Sequence, residues 1–199
     1  MNRSLWSWLF EAYREPRRSA RRIINAQLGF DAVALMVVAS AAITTVLLSL
    51  FLNAVPVPPE VQQRPDFQIP SVAEIGVSTL VQSIAGVLII SVLALFIGRL
   101  AGGRGEWSDI LSVIAWYGLA NVLGFSVGLV LTMAAPFLGM VAWGFIAVYL
   151  FYMLAAFVAE VHGFASAGRV MAVAFGIAFF IALLLTFAGV SVMAPPSGL

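Results

Sequence analysis

Cysteine is absent from this chain of 199 residues. Disulfides, thiolate metal sites and a cysteine nucleophile are therefore excluded. Lysine is absent as well, so all 10 basic residues are arginine. A single histidine, His162, excludes any site built from several imidazoles. Only 10% of residues are charged, against about 25% in a soluble domain. The formal net charge is +1, so no broad field attracts nucleic acid. The remainder is 62% hydrophobic, with a mean hydropathy of +1.06. A soluble globular chain is excluded before any motif is considered.

A bilayer core about 30 Å thick is crossed by about 20 apolar helical residues. Five charge-free segments reach that length: Ala32–Leu52, Ile75–Gly98, Ile110–Met133, Phe137–Ala159 and Val170–Met193. Every acid, every arginine and His162 lies outside them. The runs are unbroken, without the alternation of barrel strands, which predicts helices. The expected fold is all-α and integral to a membrane, with five transmembrane helices over residues 28–199. A cytoplasmic amphipathic and basic segment, residues 1–27, precedes them.

The arginines predict the orientation. Arg3, Arg14, Arg17, Arg18, Arg21 and Arg22 precede the first run, Arg99 and Arg104 follow the second, and Arg169 follows the fourth. Only Arg64 falls on the other side. The positive-inside rule places the N-terminus in the cytoplasm and the C-terminus outside. A cleaved signal peptide has an apolar core of about 7–15 residues. Ala32–Leu52 is longer and begins late, so an uncleaved anchor is the better reading. A mitochondrial presequence is disfavoured by Glu11 and Glu15. The expected location is a bacterial cytoplasmic (inner) membrane.

Within residues 1–27, Leu5, Leu9, Ala12 and Tyr13 recur at helical spacing, and Pro16 breaks the helix. Arg17, Arg18, Arg21 and Arg22 form a cluster directly before the first run. They are candidate contacts for anionic lipid or a partner, worth about 1 kcal/mol per charge near a membrane surface. Simple topological anchoring is the plainer alternative. The connection Asn53–Glu74 carries five prolines and is expected to be extended, as a connector or a lid. The connection Arg99–Asp109 is glycine-rich but lacks phosphate-loop spacing. Ser108 is expected to cap the third helix, with Asp109 in its first turn.

Few polar residues lie deep. Gln82 and Asn121 fall at similar depth on consecutive antiparallel helices, which predicts a hydrogen bond between them. The alternative is a polar cavity lined by Ser78, Gln82 and Asn121. Gly124 and Gly128, four apart, predict close helix packing within the bundle or between copies. No acid lies mid-span, as pumps and proton-coupled transporters require. Glu160 and His162, with Glu106 or Asp109, make a thin ligand set for a cation. No catalytic residue, cofactor or metal site is expected, and the chain is not expected to be an enzyme.

The segment Asp109-Ile-Leu-Ser-Val-Ile-Ala-Trp-Tyr-Gly-Leu-Ala carries a Tyr117-Gly118 pair early in the third helix. Asp31 stands just before the first run, followed by Ala-Val-Ala-Leu. With five runs and a cytoplasmic N-terminal segment, the chain resembles the Yip family, the Ypt/Rab-interacting membrane proteins, in its bacterial branch. The family commonly has the Tyr-Gly pair, and it has an Asp-Leu-x-Gly-Pro pattern where Asp31 sits. The Gly-Pro is absent here. Eukaryotic members bind small GTPases in vesicle trafficking. A bacterium has no such pathway, so the resemblance implies a non-enzymatic membrane scaffold or adaptor. Its expected partners are the lipid bilayer with its anionic lipids, other membrane proteins or further copies of itself. The competing expectation is a small-solute transport component that depends on an energising partner.

Overall fold

The computed structural model describes residues 5–54 and 69–193. Among them the chain is all-helical. Two short helices, α1 (Leu5–Arg14) and α2 (Pro16–Asn25), precede five long ones: α3 (Phe30–Ala54), α4 (Val72–Leu100), α5 (Trp107–Ala134), α6 (Pro136–His162) and α7 (Ala167–Met193). Each charge-free run lies inside one long helix. By length and composition α3, α4, α5 and α6 can each cross a membrane. The stretch of α7 whose apolarity is described, Ala167–Ile177, is shorter than a span. The proline-rich connection lies mostly in residues 55–68, outside the described residues, and so does Arg64.

Local chemistry sets the helix ends. Pro16 opens α2 at its first turn, where its missing N–H costs nothing. Ser71 and Glu74 form a reciprocal capping box at the start of α4. Its backbone N–H and Oγ–H both donate to Glu74 Oε2, at 2.7 and 2.8 Å. The cap of α5 differs from expectation. Trp107 is already helical, so Glu106 occupies the N-cap position and makes no side-chain bond there. Ser108 lies inside the first turn instead, where its carbonyl accepts from Ser112 Oγ. Ala135 alone joins α5 to α6, with Pro136 opening α6. Gly163 ends α6 in the left-handed conformation, φ 72°. Its N–H donates to Glu160 O and that of Phe164 to Ala159 O, which satisfies two terminal carbonyls.

The long helices expose large apolar side chains outward, among them Leu35, Val77, Phe96, Phe137, Phe145 and Phe179. A surface of this kind is normal against lipid and an aggregation hazard in water. The main core instead sits where α1 and α2 meet α5 and α6. Leu9, Ala12, Ala20 and Ile23 pack there against Val113, Trp116, Ala120, Leu150, Met153 and Phe157. A smaller cluster of Val33, Val37 and Ala115 joins α3 to α5. The Thr45 and Thr79 hydroxyls meet at 2.6 Å and tie α3 to α4.

Gly124 and Gly128 both face α6 within the bundle. A Cβ on Gly124 would lie 3.2 Å from Ile146 Cγ2, and one on Gly128 would lie 2.6 Å from the Trp143 ring. Trp143 Nε1–H donates to Thr132 Oγ1 at 3.1 Å, which holds the ring over Gly128. A Cβ on Gly118, by contrast, would meet open space. Gly128→Leu is therefore expected to cost about 1–3 kcal/mol through overpacking. Gly118→Leu is expected to stay within about 0.5 kcal/mol. Thermal unfolding of the two variants in detergent checks the difference.

Candidate functional site

The N-terminal helices form a hairpin docked on one end of the bundle. The sequence dictates the docking surface: Leu9 and Ala12 of α1, and Ala20 and Ile23 of α2, share the faces that are buried. Small residues at 12 and 20, both fully buried, let the hairpin approach α5 and α6 closely.

Three polar contacts fix its position. Trp116 Nε1–H donates to Ser19 Oγ at 2.9 Å, and both groups are buried. The Tyr13 hydroxyl donates to Ala120 O at 3.0 Å and accepts from Gly124 N–H at 2.9 Å. Those two backbone groups pair with each other in an uninterrupted helix. The phenol thus bridges two backbone groups one turn apart on α5, and Gly124, lacking Cβ, leaves room for it. Burial raises the Tyr13 phenol above its ordinary value, which keeps it a neutral donor. Tyr149 stacks on the Tyr13 ring at 5.7 Å and donates its hydroxyl to Tyr13 O.

The third contact is ionic. Glu160, in the last turn of α6, accepts from Arg17 Nε at 2.9 Å and Arg21 Nε at 2.6 Å. Arg17 also donates to Phe164 O at 2.7 Å and Ala165 O at 2.9 Å. One guanidinium therefore neutralises an acid and caps the loop after α6. Its partner Arg21 is held above its ordinary range by the Glu160 carboxylate.

The four arginines of the basic cluster divide by role. Arg17 and Arg21 meet Glu160. Arg22 pairs with Glu11, and its guanidinium lies 5.2 Å from the centroid of the Trp8 ring. Arg18 is exposed and pairs with Glu15 at 3.0 Å. A shallow concavity of about 640 Å³ on the hairpin is lined by Arg14, Arg17, Arg18 and Arg21, with Glu15, Pro16 and Tyr152.

His162 forms a separate cluster. Its ring is buried against α4, and glycines at the end of α4 and in the loop after it make that approach possible. A Cβ on Gly98 would lie 2.1 Å from Nε2, and one on Gly103 would lie 2.4 Å from Nδ1. Gly105 N–H donates to Nδ1 at 3.2 Å, so the proton sits on Nε2, 3.0 Å from Ala94 O. Both ring nitrogens are occupied by backbone. Among the described residues no cluster of three or more His, Asp or Glu could hold a metal ion.

The expected bond between Gln82 and Asn121 does not form among the described residues. Gln82 is exposed and donates to Ser78 Oγ at 2.8 Å, one turn back on its own helix. An amide facing lipid is satisfied best within its own helix. Asn121 is half-buried on α5. Neither the hairpin concavity nor the crevice between α4, α6 and α7 includes Ser78, Gln82 or Asn121. Asp31 lies exposed in the first turn of α3. Tyr117 packs edge-on to Phe157 at 6.2 Å, beside the main core.

Tyr13, Ser19, Trp116 and Glu160 were not legible as a site from the sequence alone. The available signal was the spacing of Arg17 and Arg21, one helical turn apart, with Glu160 among the acids at the same end of the bundle. Replacing Glu160 with Gln removes charge from its bond to the half-buried Arg17, and after allowance for solvent screening a loss of about 1–2 kcal/mol in docking is expected. Trypsin should then cleave at Arg17, Arg18 and Arg21 about ten times faster in Glu160→Gln than in the native chain.

A family model described as the Yip1 domain matches residues 10–189. No curated protein and no solved structure matches the chain. The match begins inside α1, so it takes in the docked hairpin as well as the long helices. Apolar helices able to span a membrane and a match over most of its length give one conclusion: the chain is a multi-pass membrane protein that belongs to the Yip family.

Proposed function

We propose that this protein is a non-enzymatic scaffold or adaptor of the bacterial cytoplasmic membrane. It crosses the bilayer five times, with α7 as the fifth span, the N-terminus in the cytoplasm and the C-terminus outside. Arg99, Arg104, Arg169 and the hairpin arginines share one end, which supports that orientation. The hairpin forms the working face. The observation that carries this reading is the concavity with four arginines on a hairpin whose position is fixed by Tyr13, Trp116 and Glu160.

Arg17 and Arg21 hold that face in place, and Arg14 and Arg18 present charge outward from it. An anionic partner meets a surface already ordered, so binding spends little free energy on arranging it. Copies of the chain or other membrane proteins with acidic cytoplasmic segments fit this surface. Helix packing through Gly124 and Gly128 supplies rigidity inside the bundle and leaves the hairpin as the site of contact.

The test is recovery of partners from native nanodiscs, quantified by mass spectrometry. Arg14→Gln with Arg18→Gln is expected to reduce recovery about three- to fivefold per charge, the scale of an exposed ion pair. The thermal stability of that variant should be unchanged. Recovery unaffected by the double substitution would count against the adaptor reading, and so would co-recovery of a stoichiometric ATPase.

A further inference from the structure

We propose that the crevice between α4, α6 and α7 holds one acyl chain of an anionic phospholipid, with its phosphate at Arg169. This inference rests on the membrane placement and is independent of the adaptor role. The crevice has a volume of about 570 Å³, within the range of about 300–1,000 Å³ typical of ligand pockets. Its walls are carbon: Ile90 and Leu93 on α4, Phe151 and Leu154 on α6, and Val173 and Ile177 on α7.

Size and shape select the occupant. The α4 wall runs from Ile90 to Ala101, about 16 Å at the helical rise. That is close to the depth of one leaflet, half of a hydrocarbon core about 30 Å thick. A single extended hydrocarbon chain matches that length.

Charge selects the headgroup. Among the described residues Arg169 is the only charged one lining the crevice, and it stands at the same end as Ser166 and Ala101. Its backbone N–H donates to Ser166 Oγ at 3.4 Å. Its guanidinium has no hydrogen bond or ion pair among the described residues. The negative groups beside it are already taken: Arg17 binds the carbonyls of Phe164 and Ala165, and Glu160 is shared by Arg17 and Arg21. The mouth is left with an uncompensated cation above an apolar slot. An anionic amphiphile meets both. A zwitterionic lipid brings its own cation to the same place, and a soluble anion leaves the slot empty.

The experiment places the full chain in nanodiscs of equal parts phosphatidylglycerol and phosphatidylcholine. The protein is then released into mild detergent, and retained lipid is counted by native mass spectrometry. Preferential retention of phosphatidylglycerol is expected. Arg169→Gln, at an exposed position, should reduce that preference about fivefold and leave the fold intact. Ala174→Phe, which fills the crevice, should reduce retention of both lipids. Equal retention of the two lipids by the native chain overturns the proposal. So does a preference that survives Arg169→Gln but disappears when Arg14 and Arg18 are replaced, since that places the headgroup on the hairpin.

Discussion

One carboxylate governs how the polar and apolar parts of this protein meet. Glu160 ends α6 just where the helix leaves its apolar run, and it receives Arg17 and Arg21 together. Because those arginines lie one turn apart on α2, a single acid fixes both the position and the rotation of the hairpin. Rotation matters: it turns Ala20 and Ile23 inward onto the main core and leaves Arg18 exposed. The same Arg17 caps the loop that leads into α7. The hairpin, the end of α6 and the start of α7 therefore depend on one ionic cluster.

Beneath that cluster the packing relies on small residues and on polar groups that serve backbone. Tyr13 bridges the Ala120 carbonyl and the Gly124 amide. His162 spends both ring nitrogens on Ala94 and Gly105, in a pocket that Gly98 and Gly103 keep open. In a membrane environment an unpaired backbone group costs several kcal/mol. Polar side chains are used here chiefly to meet that demand. The Tyr13 and Tyr149 hydroxyls serve backbone in this way at the docking surface, and the Trp116 N–H meets the Ser19 hydroxyl beside them.

The long helices were legible in the sequence because the requirement for apolar length is strong and local. Excluding charge from five runs marks them without any tertiary knowledge. The four-residue spacing of Gly124 and Gly128 is a local signal too, and both glycines face α6. The site was harder. Docking of α1 and α2 depends on hydrogen bonds between residues 97 to 148 apart, and each residue involved has an ordinary local explanation: Arg17 as a flank, Trp116 as core, Glu160 as a helix end. The Gln82–Asn121 bond failed because equal depth does not fix which way a side chain faces around its helix. The glycine-rich loop at 102–105, unremarkable as a nucleotide motif, takes its meaning from His162, which only the fold brings beside it.

The ordered arginine face exists only if the hairpin is part of the folded bundle. Two helices of ten residues each are marginal on their own in water, so protection of their amides reports docking directly. Hydrogen exchange of the full chain in nanodiscs is the measurement. Docking predicts that amides in α1 and α2 exchange at least about a hundredfold more slowly than an unstructured chain, as expected for a local opening free energy of about 3 kcal/mol or more. Exchange at the unstructured rate across residues 5–25, with the long helices still protected, would contradict it.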